Sequence, residues 1–351
     1  MTRPETGTPA VPHIDPLQPI DAPAQRRGPS MVVNLAGMML PNPVMTASGC
    51  AANGPELHRF LDVAELGAFV TKTVLGLPRS GRGTPRMAET PSGMLNSIGL
   101  QGPGIDAFVD TDLAWLRRAG ARVLVSVAGH EPEEFGLVTR VLRNCPSFEA
   151  VVGVEVNISC PNVANRGLVF ACDPISTAQV VREVRAELPP VVPVFAKLSP
   201  DVTDIVAIAG AALEAGADGL TMINTTLGMV IDTDRLRPHL GGVTGGLSGP
   251  AIRPIAVRAI WQVYAGMRAG ILPKAPIIGV GGVASGLDAL QLVAAGASAI
   301  QVGTATFADP RAPIRVRDEL AVAIEERGFA RFTDVVGIAH TRLDHGPKGT
   351  S

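Results

Sequence analysis

An α/β protein of the (β/α)8 TIM barrel class is predicted by three features of this 351-residue sequence. From Val32 onward, short β-branched apolar runs alternate with amphipathic stretches, the pattern of parallel strands covered by helices. Eight such runs are present, the number that closes one barrel. The first run ends in Ala47-Ser48-Gly49-Cys50, where a doubly wound dinucleotide-binding sheet would usually carry a Gly-x-Gly-x-x-Gly turn.

In order, the expected strands cover 43–48, 68–73, 122–128, 151–159, 192–199, 219–224, 276–282 and 299–304. Helices are expected over 105–119, 132–144, 174–188, 203–215, 250–268, 285–295 and 310–327. Several of these have clear ends. Pro174 follows Asp173 and Pro250 follows Gly249, so proline stands in a first turn that has no backbone donor to lose, while Gly216 and Gly296 stop helices ahead of the next strand. With 46% hydrophobic residues the chain can bury a large core, and one domain is expected over 31–351. Residues 1–30 read as a flexible arm: they are proline-rich, carry Arg3, Glu5, Asp15, Asp21 and Arg26, and hold no apolar run long enough for a signal peptide or membrane span.

Thirty basic side chains against 32 acidic ones, a pI near 6.3 and the lack of any Lys/Arg block argue against a polyanion and for a small-molecule substrate. Cys50, Cys145, Cys160 and Cys172 form no Cys-x-x-Cys pair and have no histidines at metal spacing, so neither zinc nor an iron–sulfur cluster is expected. Free thiols point to a reducing compartment, the cytoplasm.

In a barrel of this class the chemistry sits at the carboxyl ends of the strands. There the sequence places Thr71-Lys72-Thr73, Asn157-Ile158-Ser159-Cys160-Pro161-Asn162, Lys197-Leu198-Ser199, Asn224-Thr225-Thr226, Gly281-Gly282 and Gly303-Thr304. The last two pairs suit a phosphate, because loops after the seventh and eighth strands offer backbone N–H groups and glycine lets an anion approach; tight turns are the plainer alternative. Lys72 and Lys197 at the mouth call for an anionic partner, unless each reaches solvent along its own stem. Cys160 stands on a turn at the active face, although a lone cysteine is more often a small buried hydrophobe. Asn96, Asn157, Asn162 and Asn224 offer the paired donors and acceptors that a planar imide ring needs, or are turn residues.

The motifs NISCPN from Asn157 and MLNSIGLQGPG from Met94, with KLSPDVTDI from Lys197, ADGLTMINT from Ala217, TGGLSGPAIRPIA from Thr244 and IIGVGGV from Ile277, resemble the class 1B dihydroorotate dehydrogenases over 32–327. The resemblance implies an FMN-dependent oxidoreductase of pyrimidine biosynthesis, a flavoprotein oxidising (S)-dihydroorotate to orotate. FMN-binding positions carried over are Ser48, Lys72, Thr73, Ser126, Asn157, Lys197, Ile223, Gly249, Gly281, Gly282, Gly303 and Thr304. Substrate positions are Lys72, Asn96, Ser97, Ile98, Gly99, Leu100, Asn157, Asn162, Asn224 and Thr225. Cys160 is the implied base for the C5 proton, with the C6 hydride going to flavin N5. Also implied are a partner subunit carrying FAD and a 2Fe-2S cluster, which delivers electrons to NAD, and a homodimer within a heterotetramer; no nucleic acid or membrane partner is expected.

The chain departs from the family at Ser126, where an asparagine usually contacts the flavin, and in the loop NVANRGLVFACDP after Cys160-Pro161, which lacks the usual paired glycine and is partly similar to dihydropyrimidine dehydrogenases. Three alternatives therefore stand beside the dihydroorotate reaction: an FMN barrel acting on dihydrouracil, a Schiff-base aldolase or lyase using Lys72 or Lys197, and a barrel that only binds a phosphorylated ligand. Asn162, where the dihydrouracil enzymes have histidine, weighs against the first.

Overall fold

Parallel strands of four to six residues, and shorter ones at the seam, form the centre of the molecule in a computed structural model that describes residues 28–158 and 173–344. The barrel strands are β1 (Val44–Thr46), β2 (Phe69–Val70), β3 (Val123–Val127), β4 (Val151–Val156), β5 (Val194–Leu198), β6 (Gly219–Met222), β7 (Ile277–Val280) and β8 (Ala299–Val302). They make one eight-stranded sheet that begins at β1, passes through β8, β7, β6, β5, β4 and β3, and ends at β2. Each expected strand is present. Strands β3, β5, β6, β7 and β8 are buried at every position, as parallel strands with helices outside and side chains inside must be.

The barrel closes between β1 and β2, where a parallel bridge joins Met45 to Ala68 and Gly67 N–H donates to Val44 C=O at 2.8 Å. A side chain finishes this seam. Buried Thr46 accepts from Val70 N–H at 2.8 Å through its Oγ1 and donates back to Val70 C=O at 3.1 Å, so one hydroxyl satisfies both backbone groups of Val70.

The helices follow their sequence signals closely. Pro132–Asn144 and Pro174–Glu187 begin on proline, and the Asp173 carboxylate caps the second by accepting from Ser176 N–H at 2.7 Å. Ser285 caps Gly286–Ala295 in the same way, and Gly216 and Gly296 take positive φ where helices stop. The helix expected over 105–119 is interrupted: Ile105–Phe108 and Ala114–Arg118 flank a π-helical turn, Val109–Leu113, in which Thr111 Oγ1 donates to Ala107 C=O at 2.6 Å and competes with the backbone ladder.

Three antiparallel additions carry no counterpart among the expected elements, the smallest being the pair Ile231–Asp232 with Arg237–Pro238. A hairpin, Val33–Leu35 with Met38–Leu40, buries alternate side chains, and the Met38 sulfur packs over Gly153 near the start of β4. A four-stranded sheet, ordered Thr226–Gly228, Gly245–Ser248, Gly93–Asn96 and Met87–Thr90, is assembled from the segments that follow β2 and β6. Residues 1–27 of the expected arm lie outside the described residues, while Ser30 is already held: its N–H donates to Ala330 C=O and its C=O accepts from Phe332 N–H, both at 2.9 Å. Among the described residues no helix is long and apolar enough to cross a membrane.

Thr46→Val keeps the shape of the buried side chain and strands Val70 N–H and C=O without their partner, so it should cost about 1–3 kcal/mol in urea unfolding; an unchanged midpoint would show that the seam closes without the hydroxyl.

Candidate functional site

A cavity of about 610 Å³ opens at the carboxyl ends of the strands, within the 300–1,000 Å³ typical of small-molecule sites. Lining it are eleven of the twelve expected flavin positions, Ser48, Lys72, Thr73, Asn157, Lys197, Ile223, Gly249, Gly281, Gly282, Gly303 and Thr304, together with Asn96, Ile98, Gly99, Leu100, Asn224 and Thr225 of the expected substrate set. Two expected residues stand behind the wall. Ser126 is fully buried beneath Thr73, and Ser97 is 1% exposed with its hydroxyl turned toward Arg82, because both sit on the inward side of lining residues. Cys160 and Asn162 lie outside the described residues.

The floor is polar and charged. Lys197 on β5 donates to Oε1 of Glu155 on β4 at 3.3 Å, and Gln301 on β8 donates from Nε2 to Oε2 of the same carboxylate at 2.8 Å. Glu155 is 0% exposed and Lys197 only 4%, so the ammonium expected to await an anionic ligand already has a carboxylate partner from the barrel interior. Sequence inspection missed Glu155 and Gln301, although each is the lone polar long side chain in an apolar run, VVGVEV and AIQV. A charge in the middle of a barrel strand is the signal that marks the first of them.

Beside this floor, Thr73 Oγ1 lies 3.0 Å from each of Ser48 Oγ, Ser126 Oγ and Asn157 Nδ2. Asn157 donates to that hydroxyl, which leaves Thr73 one proton for one of the two serines, so Ser126 influences the wall through Thr73. At the opposite end, Gly281 and Gly282 take φ of +129° and +74°, conformations that disfavour any side chain. A Cβ on Gly282 would fall 2.6 Å from Arg253 Cβ, and one on Gly303 would meet Ala47 Cβ at 3.2 Å. Next to them Thr304 Oγ1 donates to Ser248 Oγ at 2.8 Å. The glycines make tight turns and a bare backbone cradle at once, so the two expectations for them are compatible.

The third wall is the antiparallel sheet. Asn96 Nδ2 donates to Gly246 C=O at 3.3 Å, and Gly246 must be glycine because a Cβ would lie 2.0 Å from Thr225 Oγ1. Met87, Met94, Gly246 and Ser248 join the lining from this sheet; the last three lie in the motifs MLNSIGLQGPG and TGGLSGPAIRPIA but are not among the expected site residues.

The family described as dihydroorotate dehydrogenase matches residues 30–324. The chain belongs to this family. It is similar to proteins named dihydroorotate dehydrogenase B (NAD(+)), catalytic subunit: 47% identical over 309 residues to that of Pelobacter propionicus, covering 88% of this chain and 98% of the relative. The counterpart in Desulforudis audaxviator is 48% identical over 308 residues (88% and 97%), and that in Geobacter sulfurreducens 45% over 309 (88% and 98%). These relatives agree with the class 1B resemblance carried by the motifs around Asn96, Asn157 and Lys197.

Cys50 also lines the cavity, and burial pushes its pKa from 9.0 up to about 11 against the pull of the Lys197 and Lys72 ammonium groups. Between pH 9 and 11 the unfolded chain therefore loses a proton that the native chain keeps, and stability falls as pH rises through that window; below it both states hold the proton. Urea midpoints of the ligand-free chain at pH 8 and about pH 10 should show a smaller alkaline loss in Cys50→Ala than in wild type, and equal losses would remove Cys50 from the alkaline response.

Proposed function

We propose that this chain catalyses the oxidation of (S)-dihydroorotate to orotate in pyrimidine biosynthesis, with one FMN in the cavity, as the catalytic subunit of a two-protein enzyme. The observation that carries the proposal is the convergence of Lys72, Asn96, Asn157, Asn224 and Lys197 with the Gly281-Gly282 and Gly303-Thr304 cradle in one cavity. These groups come from distant parts of the sequence, and together they match a ligand with an anionic tail, a planar ring and a carboxylate beside it.

The residues fit FMN. The cradle's backbone, kept free of side chains by the close approach of Arg253 and Ala47, would hold the phosphate, and Lys197, Thr73, Ser48 and Asn157 would hold the ring. When bound, FMN supplies the acceptor for two electrons and the hydrogen of ring C6. The chain's own groups do the rest. Lys72 meets the substrate carboxylate, Asn96, Asn157, Asn224 and Thr225 orient the ring through its amide donors and acceptors, and the Cys160 thiolate removes the C5 proton. Loss of that proton and of the C6 hydrogen with its electron pair leaves the C5=C6 double bond of orotate.

The motif resemblance supports a partner with FAD and a 2Fe-2S cluster that passes the electrons to NAD, two catalytic subunits within a heterotetramer, and a place in the cytoplasm, where thiols such as Cys50 and Cys145 stay reduced. A Schiff-base lyase is disfavoured at Lys197, since that chemistry needs a free neutral amine and Lys197 is engaged by Glu155.

Two measurements test the proposal. Anaerobic addition of dihydroorotate should bleach the flavin band of the purified chain; bleaching by dihydrouracil instead would move the substrate, and a protein that FMN cannot colour would overturn the proposal. Cys160→Ala should retain FMN while turnover falls by about 10²–10⁴-fold, the usual contribution of a positioned base, and full turnover would discard Cys160 as that base.

A further inference from the structure

Glu155 is a fully buried carboxylate that neither substrate nor cofactor chemistry requires directly. It stands in the barrel interior below the cavity, accepts from Lys197 Nζ on one oxygen and from Gln301 Nε2 on the other, and is linked to the cavity lining through Lys197. Burying a carboxylate and an ammonium costs several kcal/mol per ion, and well-packed apolar residues of the same volume are often as stabilising or more so. Stability alone therefore does not call for this pair, and its position under the cavity floor does.

We propose that Glu155 is a positioning residue that sets the electrostatic strength of Lys197 toward the bound flavin. The inference rests on FMN occupying the cavity. Glu155 acts in two ways. It anchors the ammonium at the floor, using one of its three donors and directing the remainder toward the cavity. It also places a negative charge behind the positive one, so that a ligand in the cavity meets a partly compensated cation. Inside a barrel, where the effective dielectric is far below that of water, that second charge is felt at the distance of a neighbouring layer. An anion forming over the floor, as reduced flavin does, is stabilised by Lys197 and opposed by Glu155. Gln301 keeps the carboxylate's second oxygen occupied and so fixes its direction toward Lys197.

The full chain loaded with FMN provides the test, read as the flavin midpoint potential under anaerobic equilibration with a reference dye, with FMN affinity measured alongside. Glu155→Gln should raise the potential by an amount equal to a tenfold or larger change in the reduction equilibrium, about 30 mV for two electrons. Lys197→Met should lower it, and in the Lys197→Met background the Glu155→Gln substitution should give a smaller rise, because the part of the carboxylate's effect that runs through the ammonium is gone. Should Glu155→Gln not fold, Glu155→Asp, which keeps the charge and withdraws it from Lys197 by one methylene, should give a smaller rise. An unchanged or lower potential in the variant that folds overturns the inference, as does an equal rise with Lys197 absent. A wild-type chain that takes up no FMN overturns both this inference and the proposed function, whereas FMN-bound variants with the wild-type potential overturn this inference alone.

Discussion

The seam between β1 and β2 is the point on which the architecture depends. Seven of the eight strand junctions are parallel ladders, and the eighth is a single bridge from Met45 to Ala68 reinforced by Gly67 and by the two hydrogen bonds of Thr46 Oγ1. An open sheet would spread Ser48 and Lys72 apart at two edges and expose Val70 N–H and C=O. Closure brings the ends of β1 and β2 side by side, and with them Ser48 and Thr73, whose hydroxyls meet at 3.0 Å. From that contact the network extends to Asn157 and Ser126, so the site's polar wall is a direct product of barrel closure.

Charge inside the barrel is arranged in the opposite sense from charge on its surface. Outside, pairs such as Arg140 with Glu187 and Arg117 with Glu149 are solvated and contribute little to stability. Inside, Glu155, Lys197 and Gln301 share one desolvated layer in which each contact is strong and each loss expensive. The layer lies between the apolar interior and the cavity, so the cavity floor is positive on top and negative beneath. Under the proposed function such a surface would stabilise negative charge on the cofactor without holding it so tightly that the cofactor could not be reoxidised.

Specificity is built by a different device. The sheet of Met87–Thr90, Gly93–Asn96, Thr226–Gly228 and Gly245–Ser248 is not part of the barrel repeat; it is formed from insertions after β2 and β6 that pair with each other across the mouth. Its backbone sets Asn96 against Gly246 and Gly246 against Thr225, so the Asn96 amide on the cavity wall is fixed by main-chain pairing, which varies less than a free loop.

The barrel, its strand order along the chain and most helix ends were legible in the sequence because they rest on local rules: apolar runs of strand length, proline and Ser/Asp at helix starts, glycine at helix stops. The motifs at Asn96, Asn157, Lys197 and the glycine pairs were equally legible, since short contiguous segments carry them. Local pattern could not tell that the Ser97 and Ser126 side chains stand behind the cavity wall, because only the thickness of lining residues such as Asn96 and Thr73 separates them from it. Nor could it pair Glu155 with Lys197 and Gln301, residues on three different strands whose side chains meet only after the sheet has curved around to join β8 to β4 across the barrel axis. Sequence alone thus determined which elements form and what chemistry the strand ends can offer, whereas closure of the sheet decided which side chains share a low-dielectric interior and therefore how strongly the site's charges act.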